Sequence, residues 1–444
     1  MQNEETVMAD EQKKPNNSSK IPAASDSTKV SRSLKPNKEE HDDFSGLDER
    51  FGQRNKNEYY GKVSNGYRRV KLVLVVILVL AVLFAIVIAS DDLTYSNIRY
   101  MLRNFTEITT EDTVRAELVK FDAETNTVCE VFAGKIAVAS EEGISLYRPS
   151  GKKIFSESII VYEPRLTAGD KYFFVWSSGE NLLYIFNSVS LVREESFDHP
   201  IYSVVCGLDG SFAVLTEDAG VTSSVLVYNK NFQCILKKQV DSGYVSSIAL
   251  SGDGRLLASA AFSTDNGRYI TKLENISLSD GSVVFETVHE NAFPLEVGFF
   301  ENSGHYFVSN SSVFVYSDSG EMMYSDDTVS SVRRAHASQT HLSYLVSSVS
   351  VSKQSEVKVV SQNGYLTADV ALEGTVSDIA LTDYSLLLLS NNVVVVSLED
   401  GGRTELTKKP NALSLFADGL NVYCLFPDRA ELIIKDGEPI TSND

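Results

Sequence analysis

The chain has 444 residues, of which 40 are Lys or Arg and 60 are Asp or Glu, so its net charge is −20. This length suits two or three average domains or one large all-β domain. Residues 90–444 hold 26 basic and 48 acidic side chains, a net charge of −22, and such a surface repels phosphate backbones, which argues against nucleic-acid binding.

The N-terminal segment, residues 1–67, is rich in Lys, Glu, Asn, Ser and Asp and poor in large aliphatic side chains. It buries too little apolar surface to offset the entropy of an ordered chain. We therefore predict a disordered cytoplasmic tail. Its Ser and Thr residues are either sites of phosphorylation or parts of a polar linker.

An apolar run begins at Leu72 and ends at Ala89, and none of its 18 side chains is polar. As a helix it would span about 27 Å, close to the hydrocarbon thickness of a bilayer. The run predicts a transmembrane helix over residues 70–90. A cleaved signal peptide is the alternative, but the run is longer than the usual apolar region of such signals.

Basic side chains flank this run on its N-terminal side, with Arg68, Arg69 and Lys71 at the predicted inner leaflet. Residues 90–109 carry only two basic side chains. The positive side of a membrane helix stays in the cytoplasm. We therefore predict a single-pass cell-membrane protein with a cytoplasmic N-terminus and an extracytoplasmic C-terminal part.

Residues 91–112 form a predicted juxtamembrane linker. Ile98, Met101, Leu102 and Phe105 are spaced as one apolar face of a short amphipathic helix. This face would dock on the following domain, lie on the outer leaflet or pair with a second copy, and docking is the most ordinary outcome.

From about residue 113, short apolar runs alternate with Ser, Gly, Asn and Asp clusters, which is typical of strands and turns. One four-strand unit recurs about every 41 residues, and each unit has a hairpin that turns at a residue such as Gly151, Gly320 or Gly364. This period predicts an all-β domain, a β-propeller over residues 113–438. Eight units indicate eight blades, with seven as the alternative. The last unit lacks a strand, and residues 115–121 are predicted to supply it and close the ring.

Residues 275–286, NISLSDGSVVFE, resemble the repeats of quinoprotein-like and WD40-like propellers. The short anchor followed by LTYSNIRYMLRNF at residues 93–105 is similar to a family of membrane-anchored propellers from Firmicutes, domain of unknown function 5711. The resemblance implies an uncharacterised bacterial protein of the cell envelope. It brings no functional residues with it.

A quinoprotein resemblance would imply a bound quinone, a calcium ion and often adjacent cysteines. The four cysteines, Cys129, Cys206, Cys234 and Cys424, are far apart in sequence, and Trp176 is the only tryptophan. We therefore predict no cofactor. The cysteines are interpreted as small buried hydrophobic side chains, with a Cys206–Cys234 disulfide as an open alternative.

The closest pair of histidines, His336 and His341, is five residues apart and shares no face of a strand or helix. The sequence therefore predicts no metal site and no catalytic residues. Arg333 and Arg334 form the most basic spot after the anchor, and they are a candidate for contact with an anion in the channel. Strand alternation would place one on each face of the strand.

The repeat array without a convergent set of acids, bases or metal ligands favours a non-catalytic binding or scaffold module for a protein or cell-envelope ligand. One alternative is a sensor that signals through the N-terminal tail. Another is a hydrolase or oxidoreductase that uses the propeller channel. The ligand and the oligomeric state stay open at this level.

Overall fold

The computed structural model describes residue 64 and residues 67–80, 118–121, 126–327, 331–347, 354–406, 411–435 and 437–440. The chain divides into two units, Met1–Ala85 and Ile86–Asp444.

In the first unit, residues 67–80 are helical and their side chains are exposed. Within the described residues, no helix is both long enough and apolar enough to cross a bilayer. The first half of the predicted anchor, from Leu72, lies in this helix. Its second half, ending at Ala89, lies outside the described residues, as do the linker 91–112 and almost all of the tail, so these remain predictions from sequence.

The described part of the second unit contains eight antiparallel sheets, each a blade of a β-propeller. A single strand, β1 (Leu118–Lys120), precedes the first complete blade. Blade 1 comprises β2 (Val128–Phe132), β3 (Lys135–Ala139), β4 (Ile144–Tyr147) and β5 (Lys153–Glu157). Blade 2 comprises β6 (Pro164–Ala168), β7 (Phe173–Ser177), β8 (Leu182–Phe186) and β9 (Leu191–Ser196). Blade 3 comprises β10 (Ile201–Cys206), β11 (Phe212–Asp218), β12 (Val221–Tyr228) and β13 (Cys234–Val240).

The remaining blades follow in chain order. Blade 4 comprises β14 (Tyr244–Leu250), β15 (Leu256–Asp265), β16 (Arg268–Ser277) and β17 (Val283–Glu290). Blade 5 comprises β18 (Pro294–Phe299), β19 (His305–Ser309), β20 (Val313–Tyr316) and β21 (Met322–Asp326). Blade 6 comprises β22 (Val332–Ala337), β23 (His341–Ser347), β24 (Gln354–Ser361) and β25 (Leu366–Glu373). Blade 7 comprises β26 (Asp378–Leu381), β27 (Ser385–Leu389), β28 (Val393–Ser397) and β29 (Arg403–Glu405). Blade 8 comprises β30 (Ser414–Asp418), β31 (Asn421–Phe426), β32 (Arg429–Lys435), β33 (Glu438–Pro439) and β1.

Within a blade, burial decreases from the second strand to the fourth. The second strands β7 and β27 are buried at every residue. The fourth strand β17 instead alternates between exposed and partly buried residues. A strand covered on both faces by neighbouring blades needs a continuous apolar run, whereas an outer strand needs apolar residues on one face only.

Each pair of neighbouring blades encloses its own apolar cluster, so the core is a ring of interfaces. Between blades 1 and 2, for example, the rings of Phe132 and Phe173 lie 5.1 Å apart and those of Phe173 and Phe186 lie 5.0 Å apart. Aromatic pairs at this distance stabilise the packing beyond the area that they bury.

The ring is closed by pairing between the two ends of the domain. In β1, Val119 pairs with Ala430 of β32, and Leu118 pairs with Glu431. The C-terminal strand β33 pairs with the other half of β32. The predictions of eight blades and of a closing N-terminal strand are therefore confirmed. Closure removes a sheet edge that could pair with other chains.

The predicted hairpin turns are also present. Gly320 and Gly364 have φ angles of +84° and +78°, a region that glycine adopts without steric cost. A Cβ atom at Gly364 would lie 2.3 Å from the carbonyl oxygen of Met323, so the turn also packs closely on the preceding blade.

Candidate functional site in the central channel

The first strand of each blade lines the centre of the ring, and the first strands of most neighbouring blades contact each other. Each first strand begins where the chain arrives from the preceding blade. We call this side of the ring the connection face. The strand ends at the turn to the second strand, and we call that side the inner-turn face.

Two cavities lie along the channel. One of about 770 Å³ opens among the turns of the inner-turn face and is lined by residues such as Leu208, Asp253 and Asp383. The other has a volume of about 490 Å³, lies nearer the connection face and is lined by residues of blades 5, 6, 7 and 8. His336 lines both cavities. The charged side chains concentrate in the smaller cavity, which is therefore the candidate site.

Four consecutive blades carry the same irregularity at the start of their first strand. The register shifts there between Ile201 and Ser203, Val245 and Ser247, Pro294 and Glu296, and Val332 and Arg334. The extra residues in blades 3 to 6 are Tyr202, Ser246, Leu295 and Arg333. An extra residue in a bulge stays unpaired and bends the strand. All four side chains are exposed at the connection face.

The bulge in blade 6 corrects the expectation for the two arginines. Regular alternation would put Arg333 and Arg334 on opposite faces of the strand, but both line the smaller cavity. Arg334 Nη1 donates a hydrogen bond to Asp378 Oδ1 at 2.7 Å. Within the described residues Arg333 has no ion pair and no hydrogen bond through its side chain. Asp378 therefore neutralises the charge of Arg334, whereas the charge of Arg333 is uncompensated among the described residues.

Asp378 of blade 7 is buried and doubly held. Besides the contact with Arg334, its Oδ2 accepts a hydrogen bond from the Leu415 backbone N–H at 2.9 Å. One carboxylate thus joins blades 6, 7 and 8. A carboxylate with both oxygens engaged in this way holds the wall of the cavity and is poorly placed to act on a ligand.

Glu296 and His336 are the other titratable groups of the cavity. Tyr306 Oη donates to Glu296 Oε1 at 2.9 Å, and burial raises the pKa of Glu296 to about 7. His336 Nδ1 accepts from the Leu381 backbone N–H at 3.2 Å, so the neutral ring carries its proton on Nε2. Burial lowers the pKa of His336, and Asp378 opposes this. Glu296, Arg334, His336 and Asp378 thus all have hydrogen-bond partners within the protein, and Arg333 is the charged group of this cavity that is available to a ligand.

Next to the cavity, the connection face carries an aromatic patch formed by Tyr244, Phe262, Tyr269 and Phe293. Ring centroids lie 4.7 Å apart for Phe262 and Phe293, 6.0 Å for Tyr244 and Phe262, and 6.1 Å for Tyr269 and Phe293. Tyr244 and Tyr269 are exposed. No local sequence pattern marks this patch, because its residues come from three strands of blade 4 and from the connection between blades 4 and 5. The unusual length of β15 and β16, ten residues each, was the one signal available.

The four cysteines, all within the described residues, form no disulfide. Cys206 and Cys234 lie on the first and fourth strands of blade 3, with two strands between them, so the disulfide alternative is wrong. Cys424 is buried, and burial raises the pKa of Cys129 and raises that of Cys206 to about 12. Cys234 is exposed, contrary to the expectation of burial.

His336 lies on β22 and His341 on β23 of the same blade. Among the residues that the structure describes, no three His, Cys, Asp or Glu side chains are arranged to hold a metal ion. Arg68, Arg69 and Lys71 lie on the helix over residues 67–80 with exposed side chains.

Comparison with known proteins identifies the family and the fold. Residues 102–425 match the model of a family described as "Family of unknown function (DUF5711)". No curated protein matches the sequence. The fold is similar to that of BamB from Moraxella catarrhalis, with 12% identity and a TM-score of 0.50 over 72% of this chain and 96% of that chain. The WD40 domain of Pan2 from Neurospora crassa aligns with 10% identity and a TM-score of 0.43 over 62% and 88% of the two chains. At these identities the likeness concerns the fold alone.

Proposed function

We propose that this chain, which belongs to the DUF5711 family of unknown function, is a membrane-anchored binding or scaffold module. Its propeller would hold a protein or cell-envelope ligand on the connection face, outside the cytoplasm. The fold and the family are established by the comparisons above. The anchor and its orientation rest on the apolar run from Leu72 to Ala89 and on its basic N-terminal flank.

The observation that carries the proposal is the row of bulges in blades 3 to 6. Each bulge turns a side chain out of the sheet at the mouth of the channel, and the row includes Tyr202, Leu295 and Arg333. Tyrosine and arginine are enriched in protein interfaces because they combine contact area with hydrogen bonding. Bulges are also over-represented beside functional sites, where they redirect side chains.

An enzyme that uses the channel is the second candidate, and one observation favours it. Glu296, with a pKa of about 7, shares a cavity with Arg333, Arg334 and His336, and a carboxyl group with such a pKa suits general acid–base catalysis. However, His336 Nδ1 and both oxygens of Asp378 are engaged within the protein. The described residues that line this cavity include no hydroxyl or thiol nucleophile. Binding therefore explains the site with fewer assumptions.

Photocrosslinking in whole cells tests the binding face. A photoreactive phenylalanine analogue replaces Tyr202 or Leu295 on the connection face, and Tyr384 on the inner-turn face serves as the control. Tyr202 is 44% exposed and Tyr384 is 64% exposed, so accessibility alone favours the control. We expect discrete adducts from residues 202 and 295 and none from 384. Adducts only from residue 384, or from no position, would refute the binding face.

The exposed Cys234 provides a test of the predicted topology. A membrane-impermeant maleimide added to intact cells should label this thiol if the propeller lies outside the cytoplasm. The matched control is Cys234→Ser, which leaves the three less accessible thiols in place. Labelling only after the cells are lysed would show that the propeller is cytoplasmic.

A further inference from the structure

On the connection face, an apolar surface runs from the aromatic patch to the uncompensated arginine. Phe293 belongs to the patch, and Leu295 follows it two residues later on the bulge of blade 5. Leu295 is exposed and lines the same cavity as Arg333 of blade 6. Apolar contact area and a guanidinium that has no ion pair among the described residues therefore line one cavity, on two neighbouring blades.

The hairpin formed by β15 and β16 of blade 4 projects beyond the rest of its blade, next to this surface. The β15–β16 ladder continues from the Phe262–Thr271 pair to the Asp265–Arg268 pair, three residue pairs further. The first strand of that blade ends its pairing at Tyr244 and Phe262. At about 3.3 Å per residue, the tip projects roughly 10 Å beyond the first strand. Tyr269 near the tip contacts Phe293, so the hairpin and the patch form one side of a groove.

The charge pattern selects the kind of ligand. A guanidinium binds a planar carboxylate through two parallel hydrogen bonds. Residues 90–444 carry a net charge of −22, so a polyanion would meet strong general repulsion. A single carboxylate flanked by apolar groups avoids that repulsion, and the apolar flanks exclude water from its contact with Arg333.

We propose that the connection face recognises an extended protein segment in which one Asp or Glu side chain contacts Arg333 and neighbouring apolar side chains cover Leu295 and the aromatic patch. This inference rests on the proposed function and names the partner class for the same face. Arg334 stays paired with Asp378 and holds the cavity wall, while Arg333 makes the contact.

Selection from a phage library of random peptides tests the inference, with the purified full chain in detergent micelles as the target. The expected peptides combine an acidic residue with aromatic or aliphatic neighbours. Replacing that acidic residue by its amide should weaken binding by about tenfold or more, because one charge-assisted hydrogen-bonded pair is lost. Selected peptides that are basic, or that have no acidic residue, would overturn the proposal.

Variants of the protein complete the test. Arg333→Gln should weaken the binding of the selected peptides by the same factor. Arg333→Lys should weaken it by less, because lysine keeps the charge and loses only the paired hydrogen bonds. Arg255→Gln is the charge-matched control, since Arg255 is an exposed arginine in the turn between β14 and β15, on the inner-turn face. Thermal unfolding of all three variants shows whether each is folded. Equal binding by folded Arg333→Gln and wild-type protein would refute the role of Arg333.

The same variants separate this inference from the proposed function. If crosslinks from residues 202 and 295 persist in Arg333→Gln cells with unchanged yield, the binding face stands and carboxylate recognition fails. If those crosslinks are absent from the wild type as well, the proposed function itself fails.

Discussion

Closure of the ring by β1 can be tested at a single buried side chain. Val119, in the middle of this three-residue strand, is 0% exposed and belongs to the apolar cluster between blades 8 and 1. The perturbation is Val119→Ala. Its neighbour Leu118 is 37% exposed, and Leu118→Ala in the same strand is the matched control.

The expected magnitude follows from the packing. Val119→Ala removes two methyl groups from a site enclosed by residues such as Ile136, Tyr423 and Leu432. Each buried methylene-sized group contributes about 0.8 kcal/mol, and the cavity left behind adds to the loss. We expect the free energy of unfolding to fall by about 2–3 kcal/mol. For Leu118→Ala we expect a loss of about 0.5 kcal/mol.

The protein contains its own reporter for this measurement. Trp176 is the only tryptophan and is buried between blades 2 and 3, two interfaces along the ring from the cluster that contains Val119. Urea unfolding of the full chain in detergent, followed by its fluorescence, reports whether the loss of closure weakens the whole ring. Equal unfolding midpoints for the two variants would refute the argument that β1 closes the ring through Val119.

Three further predictions concern buried groups. For Glu296, burial raises the pKa from 4.5 to about 7, so its contribution to stability is complete below pH 4.5 and is lost as the pH rises through 7. Glu296→Gln should therefore be more stable than wild type at pH 8.5 by about 1–3 kcal/mol, with little difference at pH 5, in urea unfolding. For His305, burial lowers the pKa from 6.5 to about 4 and Nε2 has no hydrogen-bond partner, so stability present above pH 6.5 is lost as the pH falls toward 4. His305→Phe should reduce the drop in melting temperature between pH 7 and pH 4.5, and an unchanged drop would contradict this assignment. At Gly298 an added Cβ would lie 2.2 Å from Tyr306 Oη. Gly298→Ala should therefore lower the free energy of unfolding by about 1–3 kcal/mol. Gly252→Ala is the control: its Cβ would meet only the side chain of Leu208, so the free energy of unfolding should change by much less.

The candidate site was only partly predictable from sequence. The adjacent Arg333 and Arg334 stood out because two neighbouring cations are unusual in an inner strand. Their common position on the cavity was not predictable, because it depends on a bulge in the pairing of β22 with β23. The partner of Arg334 lies 44 residues further on, in the next blade, and no local pattern marks Asp378 as that partner.

The number of blades and the closing strand were determined by the sequence itself, and the structure confirms both. A propeller repeats one local unit, each blade being formed by consecutive strands, so period and strand patterning suffice to predict it. The apolar run from Leu72 to Ala89 likewise predicts the anchor from composition alone. Only the tertiary structure decided which side chains leave the sheets at the channel and which charges are neutralised. Bulges and ion pairs between blades depend on register and on neighbours distant in sequence, so Arg333, Leu295 and the aromatic patch form one surface only once blades 4, 5 and 6 pack against one another.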